Sequence, residues 1–174
     1  MPSIQQRSDK HFLAKKVYLQ PVMHKKRILA VASIGGHWVQ LLRITQPLEE
    51  SYEVVYMSTH PKCEKMVPGK KFFHVPDFNR WTIWKSIPAT IKIFFILLKV
   101  RPNAVLTTGA APGLLTLLAA RLLFINTLWI DSIANVKELS GCGKLARKFV
   151  KNVYTQWPDL ANGKVKYAGN ILGD

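Results

Sequence analysis

Residues 27–44 read RILAVASIGGHWVQLLRI: an apolar run, a turn that sets two glycines beside a histidine, and a stretch with helical spacing. Gly35 and Gly36 let the backbone of that turn approach a ligand closely, and His37 falls in the first turn of a helix beginning at about its own position. The alternation recurs downstream. YEVVYMS, FFHVP, AVLTTG, NTLWIDS and NVYTQW read as strands with helical stretches among them, the longest following FFHVP. Strands alternating with helices build βαβ units on a parallel sheet. The sequence therefore predicts an α/β fold, a Rossmann-like, doubly wound, mostly parallel sheet, with ligands gathered at the carboxyl ends of the strands.

Composition sets the outer limits. A chain of 174 residues with 48% hydrophobic content has material for one domain and one core region. Residues 1–26 carry Arg7, Lys10, Lys15, Lys16, Lys25 and Lys26 against Asp9 alone, and lack a buried periodicity. They read as a basic, loosely ordered arm preceding a domain over 27–174. The arm has no apolar run of the secretory type. With 25 Lys+Arg against 10 Asp+Glu the net charge is +15, a field that draws polyanions such as nucleic acid, anionic lipid or a phosphorylated substrate. No helix-turn-helix, zinc-finger or RNP-like aromatic motif supports the nucleic-acid reading. Cys63 and Cys142 lie far apart without metal-ligand spacing, which fits a reducing compartment better than a disulfide framework.

The glycine turn is not a dinucleotide fingerprint. SIGGH does not match GxGxxG, and YEVVYMS is followed by Thr59 and His60 where a ribose-binding acid would stand, so NAD is disfavoured and no cofactor is expected. A helix N-terminus favours the neutral imidazole, the form that accepts a proton, which gives His37 a base-like setting. The residues alone leave a second use equally open, with His37 capping its helix or bonding a neighbouring loop. Trp38, Val39, Leu41 and Leu42 read as a core-facing stripe.

The helix after FFHVP is the most apolar in the chain. From Ile87 to Val100 it reaches on the order of 20 Å, short of the ~30 Å hydrocarbon core of a bilayer, so it does not span. Lys85, Lys92 and Lys99 recur every seventh residue and form one positive line on an otherwise apolar cylinder, with Trp81 and Trp84 at its entry. Such a helix can lie in a membrane interface or pack on a sheet, and one face can do each.

Four segments taken together carry a resemblance: IGGHWVQLLRI, RPNAVLTTGAAPG, LWIDSIANVKELSGCGKLARK, and YTQWPDL followed by YAGNIL. Over residues from about Arg27 onward the chain resembles the family of asparagine-linked-glycosylation protein fourteen, and most of all its bacterial exopolysaccharide and capsule counterparts. The resemblance implies the N-terminal half of a GT-B glycosyltransferase divided between two chains. The half in question binds a polyprenyl-diphosphate-linked sugar acceptor peripherally at the cytoplasmic face of the membrane. It recruits a separate soluble subunit that binds the UDP-sugar, and it is inactive alone. Transfer would be inverting, by direct displacement, with no metal, since neither a DxD nor a ligand-spaced histidine cluster is present.

By the same resemblance Gly35, Gly36 and His37 face the acceptor diphosphate, with His37 as its ligand or as base on the acceptor hydroxyl. Thr108 and Gly109, in the turn over residues 107–113, offer amides to the same anion or form a plain tight connection. Asp131, followed by Ser132, stands where eukaryotic relatives carry Glu and Ser, and either accepts a sugar-hydroxyl proton or caps the next helix. Gln156, Trp157 and Pro158 also match, with core packing the expected use of Trp157. The eukaryotic branch begins with a hydrophobic anchor where this chain has its basic arm, which implies electrostatic, salt-sensitive membrane attachment. The alternatives are a non-catalytic membrane scaffold for the donor subunit and a basic nucleic-acid-binding domain.

Overall fold

A computed structural model describes residues 25–77 and 86–173. Seven strands form one sheet: β1 (Arg27–Ala32), β2 (Glu53–Ser58), β3 (Phe72–His74), β4 (Ala104–Thr107), β5 (Asn126–Ile130), β6 (Asn152–Thr155) and β7 (Val165–Tyr167). Their order is β3-β2-β1-β4-β5-β6-β7, and each neighbouring pair is parallel. The chain builds outward from β1 through β2 to β3, returns to the other side of β1 as β4, and continues to β7. The order therefore reverses between β1 and β4, where the carboxyl ends of a doubly wound sheet leave a crevice. This is the fold that the alternating pattern predicts; β7, which that pattern does not show, adds the last strand.

Among the described residues four α-helices flank the sheet: α1 (Gly36–Thr45), α2 (Ser86–Val100), α3 (Ala110–Leu122) and α4 (Gly141–Ala146). Central parallel strands are buried on both faces, which is why RILAVA and EVVYMS are nearly unbroken apolar runs. Leu29, Val31, Val55, Met57 and Val105 pack toward α2, α3 and α4, joined there by Ile93, Leu97, Leu117 and Ala146. Ile28, Ala30, Ala32, Val54 and Tyr56 face the other way, onto Trp38, Leu41 and Leu42 of α1. Each of these large apolar side chains, once buried, contributes roughly 1.5–3 kcal/mol. Val39, expected in the same stripe, is 46% exposed because helical spacing turns it away from the sheet.

Helix α2 divides as its sequence allows. Ala89, Ile93, Ile96, Leu97 and Val100 are buried against the sheet, while Ile87, Ile91, Phe94, Phe95 and Leu98 point outward and stay exposed. Lys92 and Lys99 are exposed as well. Arg101, at φ 48°, ends the helix ahead of Pro102. Among the described residues no helix is long and apolar enough to cross a membrane. Trp81, Trp84, Lys85 and most of the basic arm lie outside the described residues.

Candidate functional site

Strands β1 and β4 lie side by side with Val31 opposite Thr107, so the turns that follow them meet above the crevice. Gly35 caps α1 at φ 98°, a left-handed conformation that disfavours any side chain. The first helical hydrogen bonds run from the N–H groups of Trp38 and Val39 to Gly35 O. The amides of Gly36 and His37 precede those bonds, which makes them a pair available to an anion. A Cβ on Gly36 would meet nothing within 4 Å, so its side of the turn is open space.

The imidazole of His37 spans the crevice. Its Nδ1 lies 2.9 Å from the carbonyl oxygen of Thr108, and the hydroxyl of Thr108 donates back to His37 O at 2.7 Å. A carbonyl oxygen only accepts, so Nδ1 carries the hydrogen, and in the neutral ring Nε2 holds the lone pair. The second turn is shaped to receive the ring. Gly109 has φ 134°, and a Cβ there would stand 2.7 Å from His37 Cε1 and 2.8 Å from Nδ1. Ala110, the first residue of α3, is held at φ 66°, a position that costs a non-glycine residue on the order of 1–3 kcal/mol.

Thr108 and Gly109 also bond within and across these turns. The Thr108 hydroxyl is spent on His37 O, and the Gly109 N–H donates to Thr107 Oγ1 at 3.2 Å. The second turn holds the histidine, and the amides of Ala110 and Ala111 open α3 ahead of the N–H-less Pro112, at positions that have no carbonyl partner within the helix.

Asp131 lies one residue past the end of β5 and is 1% exposed. Oδ1 accepts from Trp129 Nε1 at 3.0 Å and from Ser140 Oγ at 2.6 Å, while Oδ2 accepts from Asn135 Nδ2 at 3.2 Å and from Ser140 N at 2.8 Å. Four donors occupy the carboxylate, and together they close the loop between β5 and α4, which fits the second of the two uses expected of Asp131, the cap of the next helix. Ser140 completes the closure by capping α4 through Gly143 N at 2.9 Å. Burial, with the nearby Asp131 charge, also pushes the Cys142 thiol above its ordinary pKa.

Two residues on this rim that the sequence reading passed over are Gln40 and, as a site element, Gln156. Both are 2% exposed, and both amides donate to Asp131 O, at 3.1 Å and 2.9 Å. Gln40 lies three residues beyond His37, on the same side of α1. The available signal was a glutamine set among the apolar residues Trp38, Val39, Leu41 and Leu42. Among the described residues no group of three or more His, Cys, Asp or Glu side chains is placed to hold a metal.

The parallel sheet with its switch point between β1 and β4 defines a Rossmann-like α/β domain, the fold of the matching half of MurG. It superposes on the crystal structure of Acinetobacter baumannii MurG with a TM-score of 0.70 at 18% identity, covering 82% of this chain and 45% of that one. The chain belongs to the family described as oligosaccharide biosynthesis protein Alg14 like, whose model matches residues 67–171. Mouse UDP-N-acetylglucosamine transferase subunit ALG14 is 23% identical over 189 residues, with 84% of this chain and 83% of the mouse protein covered. The Rickettsia akari UDP-N-acetylglucosamine–N-acetylmuramyl-(pentapeptide) pyrophosphoryl-undecaprenol N-acetylglucosamine transferase is also 23% identical, over 161 residues. That match covers 85% of this chain but 41% of the Rickettsia enzyme, so the chain spans less than half of that relative's length. The relatives are thus glycosyltransferases or subunits of them.

Proposed function

We propose that this chain is the acceptor-binding, membrane-recruiting subunit of a two-component UDP-sugar glycosyltransferase that extends a polyprenyl-diphosphate-linked saccharide, in the bacterial setting of exopolysaccharide or capsule synthesis. The observation that carries the proposal is the pairing of His37 with Thr108: Nδ1–H is committed to a carbonyl, which leaves Nε2 as a proton acceptor at the switch-point crevice. The amides of Gly36, His37, Ala110 and Ala111 supply positive ends of two helix dipoles for the diphosphate. His37 Nε2 takes the proton from the acceptor hydroxyl while its oxygen bonds the anomeric carbon of the donor sugar and UDP departs.

Attachment to an anionic membrane is supported by the helical layer formed by α2, α3 and α4. Ile87, Ile91, Phe95 and Leu98 of α2, with Leu118 and Leu122 of α3, expose apolar surface there. Beside α4, two adjoining hollows of about 280 and 320 Å³ are lined by Lys137, Lys144, Arg147, Lys148 and Lys164, with Glu138 held by Lys144 at 2.7 Å. Exposed apolar side chains flanked by cations suit a bilayer interface with anionic headgroups. A separate donor subunit is supported by the opposite sheet face. There Leu128, Ile130 and Tyr154 line a hollow of about 560 Å³ that no helix covers among the described residues.

The test is co-expression with a UDP-sugar-binding subunit and assay of transfer to a lipid-diphosphate saccharide. Transfer is expected from the pair and not from either chain alone, and His37→Ala is expected to lower it by about 10²–10⁴-fold. Undiminished turnover by His37→Ala would remove the base assignment.

A further inference from the structure

The carboxyl edge of the sheet is stitched by side chains. From α1, His37 reaches the end of β4, and Gln40, one helical turn on, reaches the end of β5. Gln40 clips the segment twice, donating from Nε2 to Asp131 O at 3.1 Å and accepting at Oε1 from Ile133 N at 3.2 Å. Its carboxamide thus pairs with residues 131 and 133 as a neighbouring backbone would. Gln156, one residue beyond β6, donates to the same Asp131 O at 2.9 Å and accepts from Ile171 N at 3.1 Å. Trp157 Nε1 donates to Ile133 O at 2.8 Å. One carbonyl oxygen therefore receives two buried amides, one from each side, which fills both of its lone pairs.

We infer that Gln40 and Gln156 are positioning residues for the proposed transferase site: they fix the segment over residues 131–135 beside the His37 crevice and tie it to the C-terminal residues around Ile171. The inference rests on the functional reading above and goes beyond it. Apolar residues of similar size would fill these positions more simply, because a buried carboxamide is tolerated only when each of its polar atoms is paired. What the paired amides add is direction. They set the height of the segment against α1, whose first turn carries His37, so that any shift of residues 131–135 is a shift relative to the imidazole. Ser132, Ile133 and Asn135 are half-buried and Ala134 is exposed, so the segment forms part of the rim.

Substitution by glutamate gives a graded test. In Gln40→Glu the protonated carboxyl reproduces both contacts, with O–H donating to Asp131 O and C=O accepting from Ile133 N; the ionised form loses the donor and repels the carbonyl. Burial raises a carboxyl's pKa, so Gln40→Glu and Gln156→Glu should work near wild-type level at about pH 6 and lose activity toward about pH 9. The readout is the ratio of variant to wild-type kcat, which cancels any pH dependence the two share, together with amide hydrogen-exchange protection of Ile133 and Ile171. The full chain is used with its donor subunit. A fall of about tenfold or more in that ratio as pH rises is expected. Protection of Ile133 should fall with it in Gln40→Glu and that of Ile171 in Gln156→Glu, while protection of Leu29 in the core is kept.

A ratio flat with pH in both variants, or loss of activity only in step with Leu29 protection, would overturn the inference. Should Gln40→Glu not fold, Gln156→Glu and Gln40→Met carry the same comparison; for Gln40→Met a pH-independent loss of kcat with acceptor KM unchanged is expected, and an unchanged kcat overturns it. A wild-type pair that transfers nothing would sink the functional reading, while the exchange measurements would still report whether the amides fix the segment.

Discussion

His37 and Thr108 are 71 positions apart in the chain and hold each other from both sides, imidazole Nδ1–H to Thr108 carbonyl at 2.9 Å and Thr108 hydroxyl to His37 carbonyl at 2.7 Å. The pair joins the two turns that flank the switch point, and it fixes both the orientation and the tautomer of the ring. The consequences reach beyond His37 itself.

Gly109 is the steric condition for that pairing. Gly109→Ala forces a Cβ to 2.7 Å from the ring at a backbone φ of 134°. The imidazole must leave, so transfer should fall by about 10²-fold. Thermal unfolding should show a loss of about 1–3 kcal/mol. Gly36→Ala makes the contrast, because its Cβ meets nothing within 4 Å. It should melt like the wild type while raising the acceptor KM, since the methyl projects into the ligand's space. Equal melting temperatures for wild type and Gly109→Ala would show that the ring does not occupy this position.

Asp131 should behave as a stability residue. Asp131→Asn sets an amide against Asn135 Nδ2 and the Ser140 donors, and each buried donor left unpaired costs about 1–3 kcal/mol. Denaturant titration should show a lower midpoint, with per-molecule activity largely kept in whatever remains folded. A fully stable Asp131→Asn that transfers nothing would return the carboxylate to a chemical role.

Membrane attachment should divide into an apolar and an electrostatic part. Ile91 and Phe95 are 54% and 67% exposed, so Ile91→Glu with Phe95→Glu should leave the melting temperature unchanged and abolish sedimentation with vesicles of anionic lipid. Lys92→Gln and Lys99→Gln should each weaken binding by about 1 kcal/mol, roughly fivefold, and raised salt should mimic them. Vesicle binding indifferent to all four substitutions would place the contact elsewhere.

How much of this was legible in the sequence depends on the range of the interaction concerned. The alternation of RILAVA, EVVYMS and NTLWI with helical stretches carries the doubly wound sheet, because strands buried on both faces need nearly continuous apolar runs. The turn SIGGH announces itself through adjacent glycines before a helix. Its partner does not: nothing local to residues 107–109 says that a carbonyl there orients a histidine 71 residues earlier. The surroundings of Asp131 are hidden for the same reason, since the sequence leaves a proton acceptor and a helix cap both open, and the donors from Trp129, Asn135 and Ser140 appear only in the fold. The apolar sequence of α2 suits core and membrane alike, and the structure divides the helix along its length, one face buried and the other exposed.

The central claim is that the crevice between the β1 and β4 turns takes the diphosphate of the acceptor. The most direct measurement is a titration of the isotope-labelled chain with a water-soluble prenyl-diphosphate sugar, followed by amide and imidazole nitrogen resonances. Shifts concentrated at the amides of Gly36, His37, Ala110 and Ala111, with movement of the His37 Nε2 signal, are the predicted result. Binding that leaves those amides and that nitrogen unmoved would contradict it.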